Sequence, residues 1–198
     1  GTALFLVDCV TSLGGIPLEI DAWGVDLAYS GTQKCLGVPP GLAPVTVSPA
    51  AVDAFVERSP SWYLDFSMIA DYVTGGGVRA YHHTAPISMV YALHAGLGVL
   101  LDEGLARVQE RHQRCGERLQ EGLVKRGFEL FAHEDHRLPE LTSVYVPKDR
   151  LPDGLGEADV RNLLLGEYGI EIGGGLGPVS GEIWRIGCMG HTARERNV

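Results

Sequence analysis

Three short apolar runs constrain this chain more than anything else in it: Ala3 to Val7, Val25 to Tyr29 and Ala43 to Val47. Each is apolar almost without interruption, so as a strand it has to be covered on both faces, as in a sheet layered between helices. A glycine-rich turn (Ser12 to Gly15), a short amphipathic piece (Asp21 to Gly24) and a loop separate them, and a helix is expected from Pro49 to about Arg58. The expected class is α/β. With 198 residues and 45% hydrophobic side chains, the chain has material for one large domain or two small ones.

Residues Ser59 to Thr84, including Trp62, Tyr63, Gly75, Gly76 and Gly77, read as one long irregular segment, the kind that is usually functional in a compact domain. A helical stretch follows from about Pro86 to Arg126. Leu101, Leu105, Val108, Cys115 and Leu119 recur on one face of it, while Arg107, Glu110, Arg111, Arg114 and Glu117 fill the others. Gly104 sits mid-run, and because glycine weakens a helix interior by about 1 kcal/mol relative to alanine, a break is expected there. The remainder alternates short strands (Glu129 to Ala132, Ser143 to Val146, Glu171 to Ile172, Ile183 to Ile186) with one helix (Glu157 to Glu167), an α+β pattern. The expected domains are therefore 1–103 and 104–198.

A net charge of −9 with no basic run gives no footprint for nucleic acid or an anionic membrane, and neither partner is expected. Cys9, Cys35, Cys115 and Cys188 are widely spaced and form no CxxC pair, which points to a reducing compartment. No apolar run approaches the roughly 20 residues needed to span a bilayer. Gly-Thr leads straight into the first strand, and Arg194 to Val198 reads as the start of a helix, so a fragment is expected.

The stretch AYSGTQKCLGVPPG, Ala28 to Gly41, singles out Lys34. Its flanks are small or apolar, and Pro39-Pro40-Gly41 braces the backbone, so a fixed, partly desolvated lysine would follow a strand. Asp8 ends the preceding strand. In an open parallel sheet the carboxyl ends of strands face the ligand crevice, which would bring Asp8 and Lys34 into one site. A carboxylate and a lysine so placed are what pyridoxal phosphate chemistry uses: the amine bonds the aldehyde, and the carboxylate keeps the pyridine nitrogen protonated. The bland alternative is a capping aspartate beside a surface lysine. His82 and His83 invite a metal reading, but neighbours on extended chain point to opposite faces and no further ligand stands at a suitable spacing, so no metal is expected.

The run VDCVTSLGGIPLEIDAWGVDLAYSGTQKCLGVPPGLAPVTVSP, together with YHHTAP (Tyr81 to Pro86), IEIGGGLGP (Ile170 to Pro178) and WRIGCMG (Trp184 to Gly190), resembles the class V, fold-type I pyridoxal phosphate aminotransferases. The likeness is to the alanine:glyoxylate and serine:glyoxylate aminotransferase group. It implies a mostly parallel-sheet large domain followed by a small α+β domain, in a subunit about twice this length. It implies that Lys34 bonds the cofactor, that Asp8 partners its pyridine nitrogen, that Val10 lies against the ring and that Gln33 contacts the phosphate. Tyr81 and Thr84 match positions that reach the phosphate of a neighbouring subunit, so a homodimer is implied. Arg185 matches the arginine that holds the substrate carboxylate.

The implied reaction is ping-pong transamination from a small amino acid, alanine or serine, to glyoxylate or pyruvate. Two alternatives stay open. One is a catalytically silent dimerisation or binding module. The other is a cysteine desulfurase, which needs a mobile nucleophilic cysteine and usually a histidine before the lysine, where this chain has Gln33. The compartment is expected to be cytoplasmic, with peroxisome and mitochondrion open.

Overall fold

The computed structural model describes residues 3–75 and 81–198. Gly76 and Gly77 of the glycine run lie outside them. Two three-stranded sheets organise the chain, in the order β1-β2-β3 and β4-β6-β5.

In the first sheet β1 (Leu6–Asp8) and β2 (Leu27–Tyr29) are parallel, and β3 (Val45–Val47) is antiparallel to β2. The register sets Leu6 beside Leu27 and Asp8 beside Tyr29, so the last residues of both parallel strands finish level. Cys9, Val25 and Ala28 form a small core with Val7, Leu13, Leu18 and Ile20 on one face. Asp26 anchors the corner: its carboxylate accepts from the Phe5 N–H at 2.8 Å and from the Ser48 hydroxyl at 2.9 Å. Ser48 in turn caps α1 (Pro49–Asp53) by accepting from the Ala51 N–H. That helix ends well short of Arg58, and Phe55 leaves it to meet Phe66, ring centroids 6.2 Å apart.

The expected long irregular segment is corrected by α2 (Phe66–Thr74). Asp65 supplies its cap, accepting from the N–H groups of Ser67 and Met68. Helix α3 (Ile87–Glu103) and helix α4 (Leu105–Lys125) meet at 86° across Gly104, whose φ of +88° suits glycine and ends α3 where the sequence indicates. Among the described residues no single helix is long and apolar enough to cross a membrane.

In the second sheet β6 (Ile183–Gly187) is central, antiparallel to both β4 (Leu141–Tyr145) and β5 (Gly173–Gly174). Val144, Val146 and Trp184 form its core against Leu123 and Phe128, with Val160 of α5 (Glu157–Tyr168). Two expected strands shift. Glu129 to Ala132 makes a single bridge, Leu130 to Val144, and pairing near Glu171 falls instead on Gly173–Gly174, which face Arg185 and Trp184.

Candidate active site

Asp8 is exposed at the carboxyl end of β1, and its two oxygens are engaged separately. Oδ1 accepts from the Val10 N–H at 2.8 Å, and Oδ2 accepts from the Tyr29 hydroxyl at 2.8 Å. The first bond is an Asx turn that reverses the chain after the strand. The second follows from the parallel register that sets Tyr29 beside Asp8, and it holds the Tyr29 phenol above its usual titration range. Tyr29 was not among the residues expected at the site; the level strand ends were the signal that could have found it.

Lys34 lies five residues beyond Tyr29, half-buried in a loop whose backbone is bonded repeatedly to itself. The Thr32 N–H donates to the Leu42 carbonyl, the Thr32 hydroxyl to the Pro39 carbonyl at 2.8 Å, and the Val38 N–H to the Thr32 carbonyl. The Lys34 carbonyl accepts from the Gly37 N–H at 2.9 Å. The Pro-Pro-Gly brace therefore works through the buried Thr32. No ion pair among the described residues includes Lys34. Gln33 is exposed, its side chain folded over Gly31, and Val10 is half-buried.

Arg185 stands on the central strand of the second sheet between Ser143 and Gly173. Its Nε donates to the Gly174 carbonyl at 2.7 Å, and no described ion pair takes its guanidinium. The strand leads through Cys188 to Gly190, which packs on the Lys34 loop: a Cβ built on Gly190 would lie 2.9 Å from the Lys34 carbonyl oxygen. Asp8 and Val10 thus stand at the carboxyl end of β1, Gln33 and Lys34 lie in the loop that leaves the same end of β2, and the strand carrying Arg185 leads to the turn that touches that loop.

Tyr81 and Thr84 are not brought there. Both are exposed and their hydroxyls bond to each other; no hydrogen bond among the described residues joins them to Asp8, Gln33 or Lys34. His82 is buried, stacked on Trp62 with ring centroids 4.3 Å apart, and its Nε2 donates to the Trp62 carbonyl. Its Nδ1 then accepts from His83 Nδ1 at 2.7 Å. Neighbouring histidines were expected to diverge; a bend at His83 makes them converge. Among the described residues no group of three or more His, Cys, Asp or Glu side chains could hold a metal ion.

All four cysteines are buried thiols. Burial, reinforced by the Glu140 charge, pushes Cys35 up to about 12, and burial pushes Cys188 up to about 11. Neither suits a desulfurase nucleophile. Glu140, which carries no signal in the sequence, is fully buried beside Cys35 and Gly15, with neither carboxyl oxygen bonded; burial pushes it up to about 7.

A carboxylate with spare acceptor capacity at the end of β1, and an amine in the loop after β2 that has no acid partner among the described residues, are a donor set of the chemistry pyridoxal phosphate needs.

Comparison with known proteins identifies the family. The family described as Aminotransferase class-V matches residues 1–184. A (S)-ureidoglycine–glyoxylate transaminase of Bacillus subtilis is 36% identical over 217 residues, covering 99% of this chain and 50% of that protein. An alanine–glyoxylate aminotransferase of Callithrix jacchus is 40% identical over 200 residues, covering 98% and 47%. The crystal structure of an alanine–glyoxylate aminotransferase from Nostoc sp. superposes with a TM-score of 0.88 at 45% identity, covering 98% of this chain and 51% of that one. The chain spans about half the length of the curated relatives it matches.

Proposed function

The chain belongs to the class V aminotransferases, fold-type I in architecture, and from that premise we propose that it is the lysine-bearing part of an enzyme transferring an amino group from a small amino acid, alanine or serine, to glyoxylate or pyruvate. The observation that carries the reading is the level ending of β1 and β2, which sets Asp8 beside Tyr29 and starts the Lys34 loop at the same sheet end. The relatives' names support glyoxylate as acceptor, since both transaminases above share it.

Pyridoxal phosphate, when bound, supplies an electron sink for the bond broken at the donor's α-carbon. Asp8, steadied by Val10 and Tyr29, would hold a positive charge on the pyridine nitrogen. Lys34 Nζ would hold the cofactor between turnovers and, once displaced by the donor, take the proton from the donor's α-carbon. Val10 would lie against the ring and Gln33 would donate to the phosphate. Arg185, with one nitrogen held by Gly174, would present its remaining N–H groups to the substrate carboxylate. Tyr81 and Thr84 would complete the phosphate site of a second subunit in a homodimer, a role consistent with exposed hydroxyls that pair with each other among the described residues. The division into 1–103 and 104–198 would follow the break at Gly104, with a cytoplasmic site of action.

Borohydride reduction of the cofactor-loaded protein followed by peptide mapping is expected to leave the pyridoxyl group on Lys34; finding it on Lys125 or Lys148 sinks the reading. Loss of the cofactor's visible band on mixing with alanine, serine or (S)-ureidoglycine identifies the donor, and a protein that binds no cofactor is the silent module. Arg185→Lys keeps the charge but loses the fork, so the KM for donor and acceptor is expected to rise about tenfold with cofactor affinity nearly constant.

A further inference from the structure

The lysine loop is gripped from outside as well as braced from within. Gly96 of α3 abuts it so closely that a Cβ there would lie 2.2 Å from Val38. The Gly190 turn packs against the Lys34 carbonyl and Gly37, with the His191 ring beside it. Neighbouring residues of α4 hold that turn. Arg111 Nη1 donates to the Gly190 carbonyl at 3.0 Å and to the Ala193 carbonyl at 2.8 Å. His112 Nδ1 donates to the Val108 carbonyl at 2.7 Å, which leaves Nε2 to accept from the Gly190 N–H at 2.8 Å. The remaining nitrogens of Arg111 fork onto Glu103 at 2.6 and 3.0 Å, and Glu103 ends the helix that carries Gly96. One buried guanidinium thus ties together the two elements that touch the loop.

Packing α4 needs none of this. Apolar side chains would bury its inner face without the desolvation of an arginine and a histidine that are 8% and 0% exposed. What the polar pair adds is direction: its bonds to Gly190 are aimed at both the N–H and the carbonyl of the residue that touches Lys34. Burial also keeps His112 below its ordinary range, in the neutral state the geometry demands, because a second ring N–H would face the Gly190 N–H.

We propose that Arg111 and His112 are positioning residues for Lys34: through the Gly190 turn they set where the lysine stands relative to the strand that carries Arg185. The inference rests on the roles given above to Lys34 and Arg185. It makes the run from Arg185 to Gly190 a rigid spacer between the carboxylate anchor and the amine, with its far end pinned by α4. Displacing reacting groups by about 1 Å costs up to roughly 100-fold in rate, so a loosened pin is expected to show in kcat.

The test compares His112→Leu, His112→Gln, Arg111→Lys and Gly190→Ala with the wild type. Hydrogen exchange of the Gly37 amide, which donates to the Lys34 carbonyl, is read first on cofactor-free protein. It is expected to quicken about tenfold in His112→Leu and Arg111→Lys, while the Asp26 amide in the first sheet is unchanged. His112→Gln, which keeps an acceptor, is expected to restore most of the protection. With cofactor and substrates, kcat is expected to fall roughly 10- to 100-fold in His112→Leu and Gly190→Ala and to recover in His112→Gln. Unchanged Gly37 exchange in folded His112→Leu and Arg111→Lys overturns the proposal, as does unchanged kcat despite faster exchange. If His112→Leu does not fold, Arg111→Lys and Gly190→Ala decide it. Failure of borohydride to label wild-type Lys34 defeats the functional reading instead, and the exchange data still decide whether the pin exists.

Discussion

Lys34 sits in a loop held by its own backbone bonds and by the Gly190 turn, whereas Tyr81 and Thr84 sit on a segment where their hydroxyls bond, among the described residues, to each other. The loop is bound through backbone: Thr32 to Leu42 and Pro39, Gly37 to Lys34, and Gly190 against the Lys34 carbonyl. The segment is bound through rings. Trp62 stacks on His82, and Tyr72 meets both Tyr81 and His83 edge-on or tilted, while Trp62, Tyr63 and Tyr81 remain more than half exposed. Backbone bonds hold one atom in one place. Aromatic contacts on a surface shape a patch and leave its polar tips free for a partner. The difference is the one that the proposed division, a reactive amine from one subunit and phosphate donors from another, would require.

The largest expected effect tests the first half of that contrast. Lys34→Ala is expected to lower transamination by on the order of 10⁴-fold, leaving the melting temperature close to wild type because the loop's bonds do not involve the amine. A large drop in stability would mean the side chain is structural. Next in size, Asp8→Asn is expected to slow proton removal from the donor by about 100-fold in stopped-flow single turnovers, and Tyr29→Phe, which removes one bond to Asp8, by a smaller factor. Equal rates for Asp8→Asn and wild type would remove Asp8 from the site.

The second half of the contrast is tested by mixing. A Lys34→Ala subunit and a Tyr81→Phe, Thr84→Ala subunit are each expected to be inactive. Randomly reassorted, half of the dimers are mixed and one of their two sites is intact, so about a quarter of wild-type activity should return. Mixtures that stay inactive despite proven heterodimers would place Tyr81 and Thr84 outside the site, and the exposed segment would need another explanation.

The smallest effect on turnover, and the one most specific to the loop's surroundings, concerns Glu140. Burial raises its carboxyl from the ordinary 4.5 to about 7, so the folded protein holds a proton that the unfolded chain has released across that window. Stability is therefore expected to fall as pH rises from about 4.5 to 7, by on the order of 2–3 kcal/mol, and Glu140→Gln is expected to flatten that slope. Urea titrations at pH 5 and pH 8 check it. Parallel slopes for variant and wild type would show that Glu140 stays charged.

Much of this was legible in the chain. The apolar runs gave the first sheet, the spacing around Gly104 gave the break between α3 and α4, and the motif around Lys34 gave the family. These signals are local: an apolar run, a glycine inside a helical period and a proline brace each act on backbone within a few residues. One miss was local too, since Asp65 before Phe66 is a capping signal for α2 that a count of aromatic and glycine residues obscured.

The remainder depended on partners distant in sequence. The Tyr29 bond to Asp8 spans 21 residues and appears only once two strands align. The bonds from Arg111 and His112 to Gly190 span 79 and 78, and nothing near any of the three residues announces them. Glu140 carries no sequence signal, and its place just before β4 is what sets it beside Gly15 and Cys35. What the sequence determined by itself was which backbone segments form and which family they serve. Which side chains are desolvated, and against whom, was decided by tertiary structure, because burial is a property of every element that closes over a residue and not of the residues beside it.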